Sequence, residues 1–459
     1  MFSWSVCGFL QTLESLKDGK CIVSEYPMGE TVYLLGAGTN QTIKSWAGQS
    51  PPLIDNFFRV ALSIDKYRSE KYLKQLKRVY DYIERYWKMS VDDLASGRFD
   101  LEECFTLVGL QLIDAISKGN LEDVDELRWV QYLLKSFLAE VLTEFEHDVH
   151  RSGEMRLLGN ILWAERATVL TFNYDTIIEE VIKSASGVNP KAYPKCVRDF
   201  MKGSMNDDDK EIPDEVLAAS HCRWADPLGY GIRFDEVTLP IAGVPIRVDG
   251  KRYYSIPSNE LYDWPVLKLH GSINWFRYTQ VRDRPTMPGE EPPKFKKEMK
   301  DKMILDRGKW WFTTPPSRNG WYLDSVIITP DLHKEKNLNH PVFNEIWEKA
   351  RHALSKCSRL IVIGYSFPPT DFMTKKLFLE SFSDHHLEEL IIVNPDTSVV
   401  RTVKELCHYS RPVIICRDVT EFVRSHSLFS RLGYDVPSRV ASDNTSSVSS
   451  ESPTDSHDG

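Results

Sequence analysis

No Cys-x-x-Cys pair occurs in the sequence: its eight cysteines, at positions 7, 21, 104, 196, 222, 357, 407 and 416, are scattered. That spacing writes neither a disulfide framework nor a zinc ribbon, and reduced thiols in a cytoplasmic protein are the simpler expectation. No run approaches the ~20 apolar residues of a membrane span. Met1 to Leu10 is apolar but has neither a positive flank nor a small-residue cleavage site, so neither membrane insertion nor export is expected. A basic excess is lacking too. The chain carries 57 Lys and Arg against 66 Asp and Glu, a net charge of −9, which argues against a nucleic-acid binder held by a broad basic surface. A Gly-x-x-x-x-Gly-Lys-Ser/Thr phosphate loop, a His-Glu-x-x-His metal helix and a solenoid repeat are all missing. His147 and His150 stand beside Glu144 and Asp148 at a spacing that could touch one metal, but a third inward ligand is not evident. A solvated helix face is expected there, and no metal site is predicted.

What the 459 residues do contain is material for a large folded body: 42% apolar, 27% charged and 11% aromatic, enough for two or three structural units. Seven short runs read as fully buried strands: Val32–Leu35, Thr168–Phe172, Val266–Leu269, Ser325–Ile328, Leu360–Ile363, Leu390–Val393 and Val413–Ile415. They are too apolar on both faces for a half-wetted sheet. Helical patterns at Phe343–Lys356 and Met373–Ser381 alternate with the later runs, so an α/β fold is expected, a parallel sheet with helices on both faces.

Between the first two strands the spacing changes to that of helices. Apolar residues fall at Tyr72, Leu73, Leu76, Val79, Tyr80 and Ile83, and again at Cys104, Phe105, Val108, Leu112 and Ile116. Leu121–Val149 opens on Glu122, Asp123, Asp125 and Glu126, acidic residues suited to a helix N-terminus. A helical insertion over 60–155 is therefore predicted. Segments 184–263 and 278–320 break into Pro, Gly and charge clusters, with Asp207, Asp208 and Asp209 as an acidic knot, and read as loop insertions or lids. The aromatics Trp310, Trp311, Phe312, Trp321 and Tyr322 suit packing or the stacking of a base. Residues 1–27 form a separate N-terminal segment, and 436–459, almost devoid of apolar residues, read as a disordered tail.

Chemistry-bearing residues gather at strand ends. Gly36-Ala37-Gly38-Thr39-Asn40 follows the first strand, where glycines let backbone N–H groups approach a phosphate. An ordinary tight turn would look the same, since the third glycine of a dinucleotide fingerprint is out of register. Thr171-Phe172-Asn173-Tyr174-Asp175 ends the second strand and opens a helix over Thr176–Lys183. Asn173 suits an amide or water ligand, and Asp175 suits either a ligand hydroxyl or a helix N-cap. His270-Gly271 ends a third strand, where an imidazole can exchange a proton near neutral pH or rest in a core. Ile363-Gly364-Tyr365-Ser366 with Asp371, and Val393-Asn394-Pro395-Asp396, end two more, in patterns that suit a ribose rim or plain turn chemistry. Five such ends in one chain are more than packing alone requires.

In this order the motifs Gly-Ala-Gly-Thr, Thr-Phe-Asn-Tyr-Asp, Leu-His-Gly-Ser, Gly-Tyr-Ser-Phe-x-x-x-Asp and Val-Asn-Pro-Asp resemble the sirtuin superfamily, especially its bacterial sirtuin-like NAD hydrolases of anti-phage defence. The resemblance runs from Val32 to about Val423 and implies a Rossmann-like domain over 28–425, interrupted by the insertions, that takes NAD as substrate. It implies that Gly36, Ala37, Gly38 and Thr39 cradle the diphosphate and that Asn173 and Asp175 face the nicotinamide riboside. His270 would be the catalytic histidine, with Gly364 and Ser366 on the phosphate and adenosine side and Asn394 near the adenosine ribose. The deacylating members carry a four-cysteine zinc ribbon, whereas Cys196 and Cys222 here lack Cys-x-x-Cys partners. The resemblance thus favours NAD hydrolysis by a regulated, oligomeric defence effector with a protein trigger or partner. An NAD-dependent transferase, either deacylase or ADP-ribosyltransferase, and a non-catalytic NAD or ADP-ribose sensor are the alternatives.

Overall fold

A computed structural model describes residues 31–45, 47–146, 148–185, 228–232, 236–240, 253–256, 264–280, 303–306, 321–330, 341–368 and 371–426. The N-terminal segment 1–27, Cys196 and Cys222, the acidic knot at 207–209, the aromatics at 310–312 and the tail 436–459 lie outside the described residues, and of Trp321 and Tyr322 only the backbone lies within them. The strands in chain order are β1 (Thr31–Leu35), β2 (Thr168–Thr171), β3 (Leu228–Gly229), β4 (Glu236–Pro240), β5 (Tyr253–Ile256), β6 (Trp264–Lys268), β7 (Gly271–Gln280), β8 (Ile304–Asp306), β9 (Trp321–Ile327), β10 (Arg359–Ile363), β11 (Glu389–Val393) and β12 (Ile414–Cys416).

Six strands form a parallel sheet in the order β12-β11-β10-β1-β2-β6, with the two-residue β3 paired at the β6 edge. Numbered within that sheet alone, the order is the doubly wound 3-2-1-4-5-6 of Rossmann-like folds. Helices flank the sheet, so β1, β2, β10 and β11 are buried almost along their whole length. Unbroken apolar runs such as RLIVI and ELIIV are what that double coverage demands. Register aligns the strand ends. Leu35 pairs with Ile363 and Thr171, Thr171 with Lys268, Ile363 with Val393, and Val393 with Cys416. Residues 36, 172, 269, 364 and 394 consequently share one carboxyl edge.

A second core belongs to the helices that leave β1 and return to β2. They run from Phe57–Leu62 through Lys77–Trp87 and Leu101–Ser117 to the 26-residue helix Leu121–Glu146. Phe57, Phe58, Phe105, Phe137 and Phe145 fill its centre, and Phe57 meets Phe58 and Phe137 edge-on at 5.3 Å. Local signals start these helices. Ser90 and Asp93 form a reciprocal capping box, and Asp100 accepts from the Glu102 and Glu103 amides. The next helix, Gly153–Glu165, packs into the core of the parallel sheet. No helix among the described residues is long and apolar enough to cross a membrane.

Two expectations are corrected. Ser325–Ile328 is not a strand of the parallel sheet. Ser325 to Ile327 end β9, which pairs antiparallel with β7 in a five-stranded sheet of order β5-β4-β8-β7-β9. Val326 and Ile328 enter the core of the parallel sheet while Ile327 and Ile273 enter the helical core. With both faces covered, Val326, Ile327 and Ile328 are apolar in succession and mimic a parallel strand. Segments 184–263 and 278–320 are likewise not loops alone. They contain β3, β4, β5 and β8, and β7 extends to Gln280. These strands are two to five residues long apart from β7, too short for a period-2 pattern to emerge.

Candidate functional site

The chain reverses its winding between β1 and β10, and the carboxyl edge beside such a switch point is where ligands settle on open α/β sheets. Two glycine turns meet there. Gly36 N–H donates to Ile363 O and Gly38 N–H to Gly364 O, both at 2.9 Å, while Thr39 N–H returns to Gly36 O at 3.0 Å. A Cβ on Gly38 would come within 2.7 Å of Gly364 Cα, and one on Gly364, whose φ is +64°, would strike the Thr39 backbone. Close approach of two backbones, rather than openness to a phosphate, is therefore what the glycines serve first. Thr39 adds a buried bracket, its hydroxyl donating to Ile363 O at 2.9 Å.

One strand over, Phe172 N–H continues the register to Leu35 O at 3.0 Å, and Asn173 Nδ2 donates to Gly36 O at 3.1 Å. Asn173 Oδ1 has no hydrogen-bond donor among the described residues and can receive one from a ligand. Asp175 takes the capping role, Oδ1 accepting from Ile177 N–H at 3.1 Å, while Oδ2 accepts from Asn40 Nδ2 at 2.9 Å. Asn40 and Asp175 are buried. Burial pushes the Asp175 carboxyl above the usual carboxylate range, against the pull of the Lys268 ammonium and the two hydrogen bonds.

Beneath this turn lies a buried polar chain. Lys268, with no exposed surface, donates to the Asp175 backbone carbonyl and pairs with Glu179 at 3.2 Å. Glu179 accepts from the Tyr230 hydroxyl at 2.9 Å, and Asn274 Nδ2 donates to the same hydroxyl at 3.1 Å. Burial raises the Glu179 carboxyl as well, with Lys268 opposing. On the other flank Glu146, the last residue of the long helix, accepts from Thr176 N–H and Oγ1, both at 2.8 Å. Its carboxyl is pushed up to about 7 by burial, and the Thr176 bonds only partly offset this.

Ala37, Asn40, Asn173 and Asp175 line a cavity of about 130 Å³, together with Leu101, Leu138 and Leu142 of the helices and Pro51 to Ile54. A cavity of roughly 150 Å³ accepts one six-membered ring, and this one is of that order.

His270 belongs to the same corner without lining that cavity. It is 7% exposed, and its ring lies 4.9 Å from Phe172 and 6.2 Å from Tyr174, the two residues that flank Asn173. Main-chain bonds hold it in place: Ile328 N–H donates to His270 O at 2.9 Å, and Tyr174 Oη to Ile328 O at 2.8 Å. Gly364 lies in the switch-point turn and Ser366 is exposed on the edge beyond it. Asn394 is spent on packing. Its Nδ2 donates to Tyr365 O at 3.1 Å and its Oδ1 accepts from Asp396 N–H at 2.9 Å, which ties the β10 and β11 exits together.

Of the residues singled out in the sequence, the structure thus gathers Ala37, Asn173 and Asp175 around one cavity, with Gly36 bonded to it through Asn173 and His270 beside it. Gly38, Thr39 and Asn394 brace the edge. Sequence reasoning missed Asn40, Glu146, Lys268 and Glu179 as members of the site. A lysine inside the apolar run Val266-Leu267-Lys268-Leu269 was the one available signal, since an unpaired charge is not buried there. Among the described residues, no group of three His, Cys, Asp or Glu side chains could hold a metal ion. No protein-family model and no curated protein matches the chain.

Proposed function

We propose that the protein is a NAD glycohydrolase, splitting NAD into nicotinamide and ADP-ribose, with NAD as substrate rather than resident cofactor. The observation that carries this reading is the one-ring cavity at the carboxyl edge, lined by Asn173 and Asp175 and set beside the switch point of a doubly wound sheet. The nicotinamide ring fits the cavity, and Asn173 Oδ1 is available to its carboxamide NH2. The ribose and diphosphate would extend over Ala37 towards Gly364 and Ser366.

In the reaction the C1′–N bond breaks with its electron pair passing to the ring nitrogen, which leaves as neutral nicotinamide. Positive character builds on C1′, a water oxygen bonds there, and the water gives up a proton. Fixing the ribose and the ring in that geometry lowers the barrier more than a strong acid would, because the leaving group departs uncharged. The buried Asp175 carboxylate favours developing positive charge. His270, the imidazole of this corner, is assigned the water's proton or the ribose hydroxyls, as the sirtuin resemblance implies. The same resemblance supports a regulated effector of anti-phage defence that acts by depleting NAD, held inactive until triggered and working as an oligomer.

The test is product analysis of the purified full chain in its triggered state, incubated with NAD and no acceptor. Equal amounts of nicotinamide and ADP-ribose are expected. Release that requires an added acceptor would make it a transferase, and binding without release would make it a sensor. Steady turnover with no trigger would contradict the regulated setting.

A further inference from the structure

The helix Leu121–Glu146 meets the site along one stripe. Leu138, Leu142 and Glu146 are spaced four residues apart and so share a face; the first two line the cavity and the third holds Thr176, the neighbour of Asp175. The same stripe continues back to Leu134, and Leu134, Leu138 and Leu142 are buried in the helical core together with Phe137, Val141 and Phe145 of the adjoining faces. Lys66 adds ion pairs to Glu140 at 2.8 Å and Glu144 at 2.6 Å. One rigid element therefore runs from that core to the turn that carries Asn173 and Asp175.

The choice of residue at its end is costly. Glu146 is 9% exposed, and no cation among the described residues pairs with it. The charged groups that bear on it, Asp175 and Glu180, are of its own sign. The helix Ile177–Ala185 already receives a local cap from Asp175, whose Oδ1 accepts from Ile177 N–H. A remote carboxylate adds little that a local Ser or Thr would not provide for helix stability. What it adds is a link between two units.

We infer that Glu146 is a positioning residue: through its two bonds to Thr176 the helical unit holds the Asn173–Thr176 turn in its reactive shape, so that displacing the helix switches the site. This is a means of regulating the site proposed above, and its activity readout rests on that reading, whereas its exchange readout does not.

Four full-length variants test it. Glu146→Gln keeps an acceptor oxygen for Thr176, Glu146→Ala removes it, Leu134→Ala loosens the helix in its own core about 18 Å away along the axis, and Leu134→Ala is also combined with Glu146→Ala. Amide hydrogen exchange at Thr176 and Ile177 is read alongside kcat and KM for nicotinamide release. In Glu146→Ala, exchange should rise and kcat fall by about 10-fold or more, the scale of losing hydrogen bonds to a charged group, with KM changed by less than about 3-fold. Glu146→Gln should restore both. Leu134→Ala should speed exchange at the turn in the wild-type background and add nothing to Glu146→Ala. Unchanged exchange in Glu146→Ala, or additive effects of the pair, would overturn the inference. Should Glu146→Ala not fold, Thr176→Val, which removes the hydroxyl donor and keeps the amide, must reproduce part of the kcat loss or the inference fails. A triggered wild type that releases no nicotinamide would refute the hydrolase reading alone, because the exchange data decide the link independently.

Discussion

Replacing Glu146 with Gln should alter the pH dependence of stability in a calculable way. The carboxyl is buried and raised from 4.5 to about 7, so the folded protein keeps a proton that the unfolded chain surrenders on passing 4.5. Stability from this group is full below the unfolded value and is lost as pH climbs to the folded one. At about 1.36 kcal/mol per tenfold change in proton affinity, that loss is about 3 kcal/mol between pH 4.5 and pH 7. Glutamine cannot ionise and keeps an acceptor for Thr176. Asp175 and Glu179 are also raised, but both proteins share them, so they enter the difference only through the repulsion between Asp175 and Glu146. Urea unfolding of the two proteins at matched pH values from 4.5 to 8.5 measures it. The wild type should lose ground steadily to Glu146→Gln up to pH 7 and hold a constant deficit above it. Curves that stay parallel across the range would refute the claim that this carboxyl is buried without a compensating charge.

Lys268→Met would leave the Glu179 carboxylate buried without its partner, which should destabilise the fold by about 3–5 kcal/mol. Adding Glu179→Gln should recover most of that loss in the same unfolding assay. Gly364→Ala forces a side chain onto a positive φ and into the Thr39 backbone. A stability loss of more than about 1 kcal/mol is expected, together with reduced nicotinamide release as the two turns separate.

The main sheet was legible because coverage on both faces leaves a plain trace: Val32–Leu35, Leu360–Ile363 and Leu390–Val393 lie within a residue of the strands that form. That same trace misplaced Ser325–Ile328, since burial between two different cores writes an apolar run identical to that of a parallel strand. The short strands β4, β5 and β8 escaped because three to five residues among prolines and glycines carry too few positions to show alternation. At the site, strand ends pointed to Asn173 and Asp175, because a carboxyl edge needs no polar residue for packing. Partners fixed by tertiary contact were illegible. Glu146 is one acidic residue at the end of a long helix, and only the folded chain places it against Thr176, thirty residues on. Asn394 carries contacts of the same illegible kind: its strand-end position suggests a ligand role, and the fold bonds its side chain to backbone groups of the neighbouring exits.

The hydrolase account stands or falls most directly on Asn173, whose Nδ2 is tied to Gly36 O at 3.1 Å and whose side chain helps to line the ring cavity. Nicotinamide release from NAD by triggered wild type and by Asn173→Ala, each checked for fold by circular dichroism, is the measurement that tests it. A folded, inactive Asn173→Ala beside an active wild type is the predicted result. Undiminished release by the variant would contradict the account.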